Sequence, residues 1–284
     1  MSYISIGILL ALLSSVTTAL AHALLKAGKD KLAVRALIGA VGTIALMPVC
    51  FLVPPPTIAM LPWLATASVL HTAYQLVLIR AYEANDFAVA YPIARSISPI
   101  ATALLGIGLL GDRMTIVGLV GVGMVSAGIL LIAFGRSIAI AGLIAAGIAG
   151  LLTTAYTVVD AHAIRLAPIA MTFIAWFFVL DGLIMFPIFA VARRGRVLSL
   201  LRSEGRQGLF AGVASLVSFG AVLIALRIAP IGIVSALRET SVVFGVLIAA
   251  FMLHEQVDRP RIGAAVVIAA GAIIIVSAAG FPTI

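Results

Sequence analysis

Ten apolar runs follow one another through the 284 residues, each about as long as a bilayer is thick and separated by only short polar breaks. They lie at roughly 3–25, 34–53, 58–81, 87–110, 115–134, 138–160, 169–191, 207–228, 231–253 and 262–281. A hydrocarbon layer of ~30 Å takes about 20 apolar residues as helix, so each run is long enough to cross it. The runs lack strict alternation, and lipid leaves the backbone only helices and closed barrels. The reading is therefore an all-α polytopic membrane protein with ten transmembrane helices and no separate soluble domain. Composition agrees: 63% of the residues are hydrophobic, 10% are charged, and the mean hydropathy is +1.27. Ala19-Leu20-Ala21 resembles a signal-peptidase site, but no Lys or Arg precedes the first run, which reads as a first span.

The two halves resemble each other. YPIARSISPIATALLGIGLLGD (91–112) aligns without a gap to VSALRETSVVFGVLIAAFMLHE (234–255), matching Arg95 with Arg238, Asp112 with Glu255 and, further on, Gly128 with Gly271. Weak internal repeats are expected of transporters. Five spans per repeat is an odd number, so a second copy enters the membrane from the opposite side. The expectation is two inverted five-helix repeats, residues 1–136 and 137–284.

The net charge of +8 does not point to nucleic acid, because the basic residues lie mainly between apolar runs. Lys26, Lys29, Lys31, Arg35, Arg80, Arg136, Arg193, Arg194, Arg196, Arg202, Arg206, Arg259 and Arg261 fall in odd-numbered loops, against Arg113, Arg165 and Arg227 in even-numbered ones. The positive-inside rule then places odd loops in the cytoplasm and both termini in the periplasm of a bacterial inner membrane. Cys50 is the only cysteine, so no intrachain disulfide forms. There is no P-loop, nucleophile elbow or cysteine-histidine metal cluster; HEQVD (254–258) starts like a zinc-protease motif but has Asp258 where the second histidine belongs. No enzyme activity, metal or cofactor is expected.

Arg95 and Arg238 are the residues that most need explaining. Both fall near mid-span, where a charge costs ~2.5–3.5 kcal/mol even on lenient insertion scales. One reading makes them structural, Arg95 pairing with Glu239 and Arg238 with Asp181. The other has them face an aqueous cavity and bind an anionic group through the guanidinium fork. Pro92 and Pro99 flank Arg95 and free backbone carbonyls, which suits a cavity wall. His71, Tyr74 and Gln75 share one helix face and can hydrogen-bond a ligand or a neighbouring helix. Tyr156 lies one turn from Asp160, and His22 one turn from Lys26. Lys26 and Asp160 sit near span ends, where long side chains snorkel. Asp160, Asp181 and Glu239 are the candidates for proton coupling. Trp176, at mid-span away from the interfacial belt, can stack on a ligand but reads first as core packing. Gly118, Gly121, Gly123, Gly263 and Gly271 allow close helix approach or a homodimer.

With its ten spans, five-plus-five repeat and paired fourth and ninth spans ending in an acid, the chain resembles the EamA-type branch of the drug/metabolite transporter superfamily, over nearly its whole length. HALLKAGKD, HTAYQLVLIRAYEANDFAVAYPIARSISP, AYTVVDAHAIR and ALRETSVVFG look more narrowly like a bacterial subgroup associated with phosphonate utilisation. The resemblance implies a carrier whose central cavity is lined by spans 1, 3, 4, 6, 8 and 9, with spans 5 and 10 peripheral. Carried over, that cavity takes in His22, His71, Tyr74, Gln75, Tyr91, Arg95, Tyr156, Arg238 and Glu239. It also implies export of amino acids or similar small metabolites by alternating access. Ala21-His22-Ala23 and Ser96 depart from the subgroup, in which Trp-Asn follows the histidine and glycine stands at the serine. The expected partners are a small zwitterionic or anionic substrate and the lipid bilayer. The rival readings are a lipid-head-group flippase and a non-transporting membrane sensor or assembly protein.

Overall fold

The computed structural model describes residues 3–83, 87–133, 140–244 and 259–278, and every regular element among them is an α-helix. They are α1 (Tyr3–Ala27), α2 (Lys31–Cys50), α3 (Leu61–Glu83), α4 (Phe87–Leu110), α5 (Ile116–Ala133), α6 (Ile140–Leu166), α7 (Ala170–Ala192), α8 (Val197–Ile228), α9 (Ile231–Arg238) and α10 (Arg259–Ala278). Glu255 and the HEQVD stretch lie outside the described residues.

The helices are built inside out relative to a soluble bundle. On α1, Leu9, Leu13, Val16 and Leu20 recur at helical spacing and are exposed, while Ser14, Ser15 and Thr18 on the other face are buried. Similar exposed stripes run along α4, α5 and α8. An apolar surface of this extent is covered by lipid, not water. Five helices, α1, α2, α7, α8 and α10, are long and apolar enough to cross a membrane by length and composition alone, and α4 and α5 carry shorter apolar stretches. The chain, helical in every regular element of its described residues, is a multi-pass integral membrane protein.

Small residues set the tightest contacts. Where α2 meets α7, a Cβ on Gly39 would stand 2.9 Å from Gly182 Cα, and one on Gly182 would stand 2.5 Å from the Gly39 carbonyl oxygen. Any side chain at either position would push the two backbones apart. α5 and α10 meet in the same way, a Cβ on Gly271 falling 2.8 Å from the Gly121 carbonyl oxygen and 2.9 Å from Val125 N. Gly121 and Gly271 are thus used inside the chain, whereas Gly123 and Gly263 face open space.

Several local expectations change. Arg35, counted as a loop charge, lies within α2 and is buried. Helix α8 begins at Val197, ten residues before the apolar run, because Leu198, Leu200 and Leu201 continue its pattern through Arg202 and Arg206. Pro92 and Pro99 do not interrupt α4, which is assigned helical throughout. The interruption lies in the ninth span instead. α9 stops at Arg238, residues 239 and 240 form a turn, and helix resumes at 241. The amides of Glu239, Thr240, Val242 and Val243 each bond three residues back, to Ala236, Leu237, Glu239 and Thr240 at 2.9–3.1 Å. That is the tighter 3₁₀ winding in place of the four-residue bond.

Candidate functional site

A cavity of about 120 Å³ opens between α1, α2, α3, α4, α6, α7, α8 and α9. Neither α5 nor α10 lines it, so these two are peripheral, as the resemblance implies; α2 and α7, which it leaves out, contribute Arg35, Ile38, Phe177, Phe178 and Asp181. Of the expected ligand-binding residues, His22, His71, Tyr74, Gln75, Arg95, Tyr156 and Arg238 all reach its wall. Glu239 is buried, bonded to Arg95. Tyr91 is part of α4, but its side chain lies outside the described residues.

Three buried polar pairs organise the wall. Arg95 Nε donates to Glu239 Oε2 at 2.8 Å, both side chains being no more than 4% exposed. Arg35 Nη2 donates to both oxygens of Asp181, at 2.8 and 2.7 Å. The Gly39–Gly182 contact brings α2 and α7 close enough for this pair to form. Gln75 Nε2 adds a third hydrogen bond, to Asp181 Oδ1 at 3.3 Å. The Arg238–Asp181 pair allowed for in the sequence is therefore not made, because Asp181 is taken by Arg35. Third, His71 Nε2 lies 2.8 Å from Asp160 Oδ2. Asp160 is fully buried and does not snorkel.

Arg238 stands apart from these pairs. Among the described residues it makes no ion pair or hydrogen bond, and its Nε is buried without a partner. It lies at the end of α9, just before the tight turn, and lines the cavity. A buried, unsatisfied charged donor is costly unless something in the cavity meets it.

The remaining wall is aromatic and hydroxylic. The His71 ring packs against Tyr156, Phe177 and Phe219 with centroids 4.1, 4.8 and 4.9 Å away. Opposite, Thr18 and Ser14 of α1 hydrogen-bond Ser218 of α8 at 2.5 and 3.2 Å. Trp176 does not line the cavity but packs against the core. Arg35, Thr18 and Ser218 were not singled out from the sequence. The hydroxyls fall on the face of α1 opposite its leucine stripe, and that periodicity was the available signal.

The two ends of the helix bundle differ. At the even-loop end Arg165, closing α6, donates to Asp112 Oδ1 at 2.7 Å and to the carbonyls of Leu226 and Ala229 at 3.1 and 3.2 Å. Asp112 Oδ2 accepts the first amide of α9, Ile231 N, at 2.6 Å. Beneath this latch Ile164, Ile231, Leu226 and Leu237 form a packed core. At the odd-loop end Asp30 caps α2, accepting from Ala33 N at 3.0 Å, and pairs with Arg193 at 2.7 Å. Burial alone would raise the Asp30 carboxyl, but the hydrogen bonds from Arg193 and the Ala33 amide outweigh it and hold the group below its usual range. Leu25 and Arg35, the lining residues nearest this end, draw the cavity towards it.

Among the described residues, no group of three or more His, Cys, Asp or Glu side chains is placed to hold a metal.

Comparison with known proteins agrees with this architecture. No curated protein matches the chain in sequence. Twenty-six chains of solved structures do match in fold. One crystal structure superposes with a TM-score of 0.71 at 18% identity, covering 96% of this chain and 95% of its own, a likeness that speaks for the fold alone. Residues 2–134 and again 140–277 match the EamA-like transporter family, nearly the whole length in two copies. The chain belongs to the EamA-like transporter family, within the drug/metabolite transporter superfamily.

Proposed function

We propose that the protein is a secondary carrier that binds a small anionic or zwitterionic metabolite in this cavity and moves it across a bacterial inner membrane by alternating access. The observation that carries the reading is Arg238. The other two lining arginines are neutralised by Asp181 and Glu239, while Arg238 reaches the wall without an ion pair among the described residues. An anionic head group meets that unmet demand, with Arg95 second. His71, Tyr74, Gln75 and Tyr91 orient the rest, and Glu239 receives an ammonium when the substrate carries one.

The two family matches support a ten-span chain of two inverted repeats, 1–136 and 137–284. With odd loops cytoplasmic and termini periplasmic, the cavity then leans towards the cytoplasm and the Arg165–Asp112 latch closes the periplasmic end. Export is the direction that the resemblance favours, and the subgroup resemblance adds phosphonates to the compounds worth trying.

The test is thermal stability of the purified protein against amino acids, carboxylates, phosphonates and hydrophobic cations, with Arg238→Gln alongside. A ligand at a hundred times its dissociation constant adds ~2.7 kcal/mol. Stabilisation by one anionic or zwitterionic class, absent in Arg238→Gln, supports the reading. Stabilisation by cations alone, or equally in the variant, refutes it.

A further inference from the structure

Three carboxylates stand near the cavity, but their partners differ in kind. Asp181 is held by Arg35 and Glu239 by Arg95, and a guanidinium keeps its charge at any pH the protein meets. Neither partner can take part in proton exchange. Asp160 is held by His71, and imidazole is the side chain whose charge changes in the physiological range, at about pH 6.5 when unperturbed.

The pair is also arranged as a relay. Asp160 is fully buried, with Oδ2 on His71 Nε2 and Oδ1 buried without a hydrogen-bond partner. His71 lies between it and the cavity that its ring helps to line. With Nε2 committed to the carboxylate, Nδ1 makes no hydrogen bond among the described residues and is the nitrogen left to take a proton from cavity water. Rings of Tyr156, Phe177 and Phe219 enclose the imidazole, so a change in its charge is poorly screened by solvent.

From this arrangement we infer that the His71–Asp160 pair is the carrier's proton-binding site, taking up a proton at His71 Nδ1 and thereby selecting which end of the cavity is open. The inference rests on the carrier reading above. Among the described residues, the other charged or titratable groups facing the pair are Tyr74 on α3, Tyr156 on α6, His22 on α1, Arg35 and Asp181 across α2 and α7, and Arg95, Arg238 and Glu239 on α4 and at the α9 break. With the imidazole neutral, the charge on Asp160 offsets that of Arg238 and the wall is balanced. Proton uptake leaves one positive charge in surplus, which a bound anion offsets. Proton and anion therefore favour each other's binding by reciprocal linkage.

The test needs no substrate, only the proton. In full-length Cys50→Ser protein reconstituted into liposomes, Ser215→Cys places one thiol on the cavity wall, and its modification by a membrane-impermeant thiol reagent is followed between about pH 5 and pH 8. Rates are taken relative to a freely exposed reporter cysteine, which removes the thiol's own pH dependence. The expected result is a several-fold change in access over that range, with a midpoint matching the ¹⁵N-imidazole titration of His71, assigned by its loss in His71→Gln. Asp160→Asn and His71→Gln should each flatten the profile, while Gly123→Ala, facing open space away from the cavity, retains it. Access that does not vary with pH in the parent protein overturns the inference, and so does a profile unchanged in a folded Asp160→Asn or His71→Gln. The thermal panel tests the anion site without reference to this pair, so either idea can fail alone.

Discussion

Arg35 and Asp181, far apart in the chain, meet at 2.7 Å because Gly39 and Gly182 allow α2 and α7 to touch backbone to backbone. Breaking a buried pair from one side leaves an uncompensated charge and costs about 3–5 kcal/mol. Arg35→Gln and Asp181→Asn should therefore each lower the unfolding temperature strongly in detergent, and the double variant should recover much of the loss. Gly182→Ala should lower it too, without touching either charge.

Arg95 and Arg238 occupy matching places in the two halves yet should behave differently. Arg95→Gln strips Glu239 of the one side-chain donor it has among the described residues, so a stability loss on the order of 3 kcal/mol is expected, restored in part by Arg95→Gln/Glu239→Gln. Arg238→Gln removes a guanidinium that makes no ion pair among the described residues and should leave the unfolding temperature nearly unchanged while ligand stabilisation disappears. Equal destabilisation by the two single variants would contradict this division of labour.

Asp30 gives a prediction about acid. Its carboxyl is held below the usual range in the folded protein, so its contribution is fully present above the unfolded value of about 3.9 and is lost as pH falls through the lower folded value. Melting curves taken below about pH 4 should show that loss in the wild type and lack it in Asp30→Asn. Asp30→Ala should cost about 1 kcal/mol near neutral pH through the missing cap.

The α5–α10 contact offers a control remote from the cavity. Gly271→Val places side-chain atoms against the Gly121 carbonyl and Val125 amide and should destabilise by about 1–3 kcal/mol. Ligand binding should survive wherever the protein still folds. Gly123→Ala, facing open space, should be neutral in the same assay.

How far these features could be read from the chain depended on their range. Spans were legible because apolar length is a local property: the runs at 87–110 and 169–191 became Phe87–Leu110 and Ala170–Ala192. The Arg95–Glu239 pair was also within reach, since both fall at mid-span and must be neutralised. Arg35 was misjudged because Lys29 and Lys31 precede it closely, and a run of basic residues looks like a loop whichever way the last one points. Its true partner is set by a crossing of two glycines in distant helices, and no window of sequence contains that. The α9 break was hidden for another reason: Leu237, Arg238 and Glu239 are all acceptable helix residues, and neither proline nor glycine marks the turn. The prolines that were visible in α4 marked no break at all.

Each of the five ion pairs found among the described residues joins the first family-matched segment to the second: Asp30 to Arg193, Arg35 to Asp181, His71 to Asp160, Arg95 to Glu239 and Asp112 to Arg165. During synthesis, therefore, the leading half enters the bilayer before Asp181, the acid that neutralises Arg35, has been made, and it waits in that state until the trailing half is threaded. Neither half is a finished object by itself. The gene product matures as a single unit, with its electrostatic seam closing last.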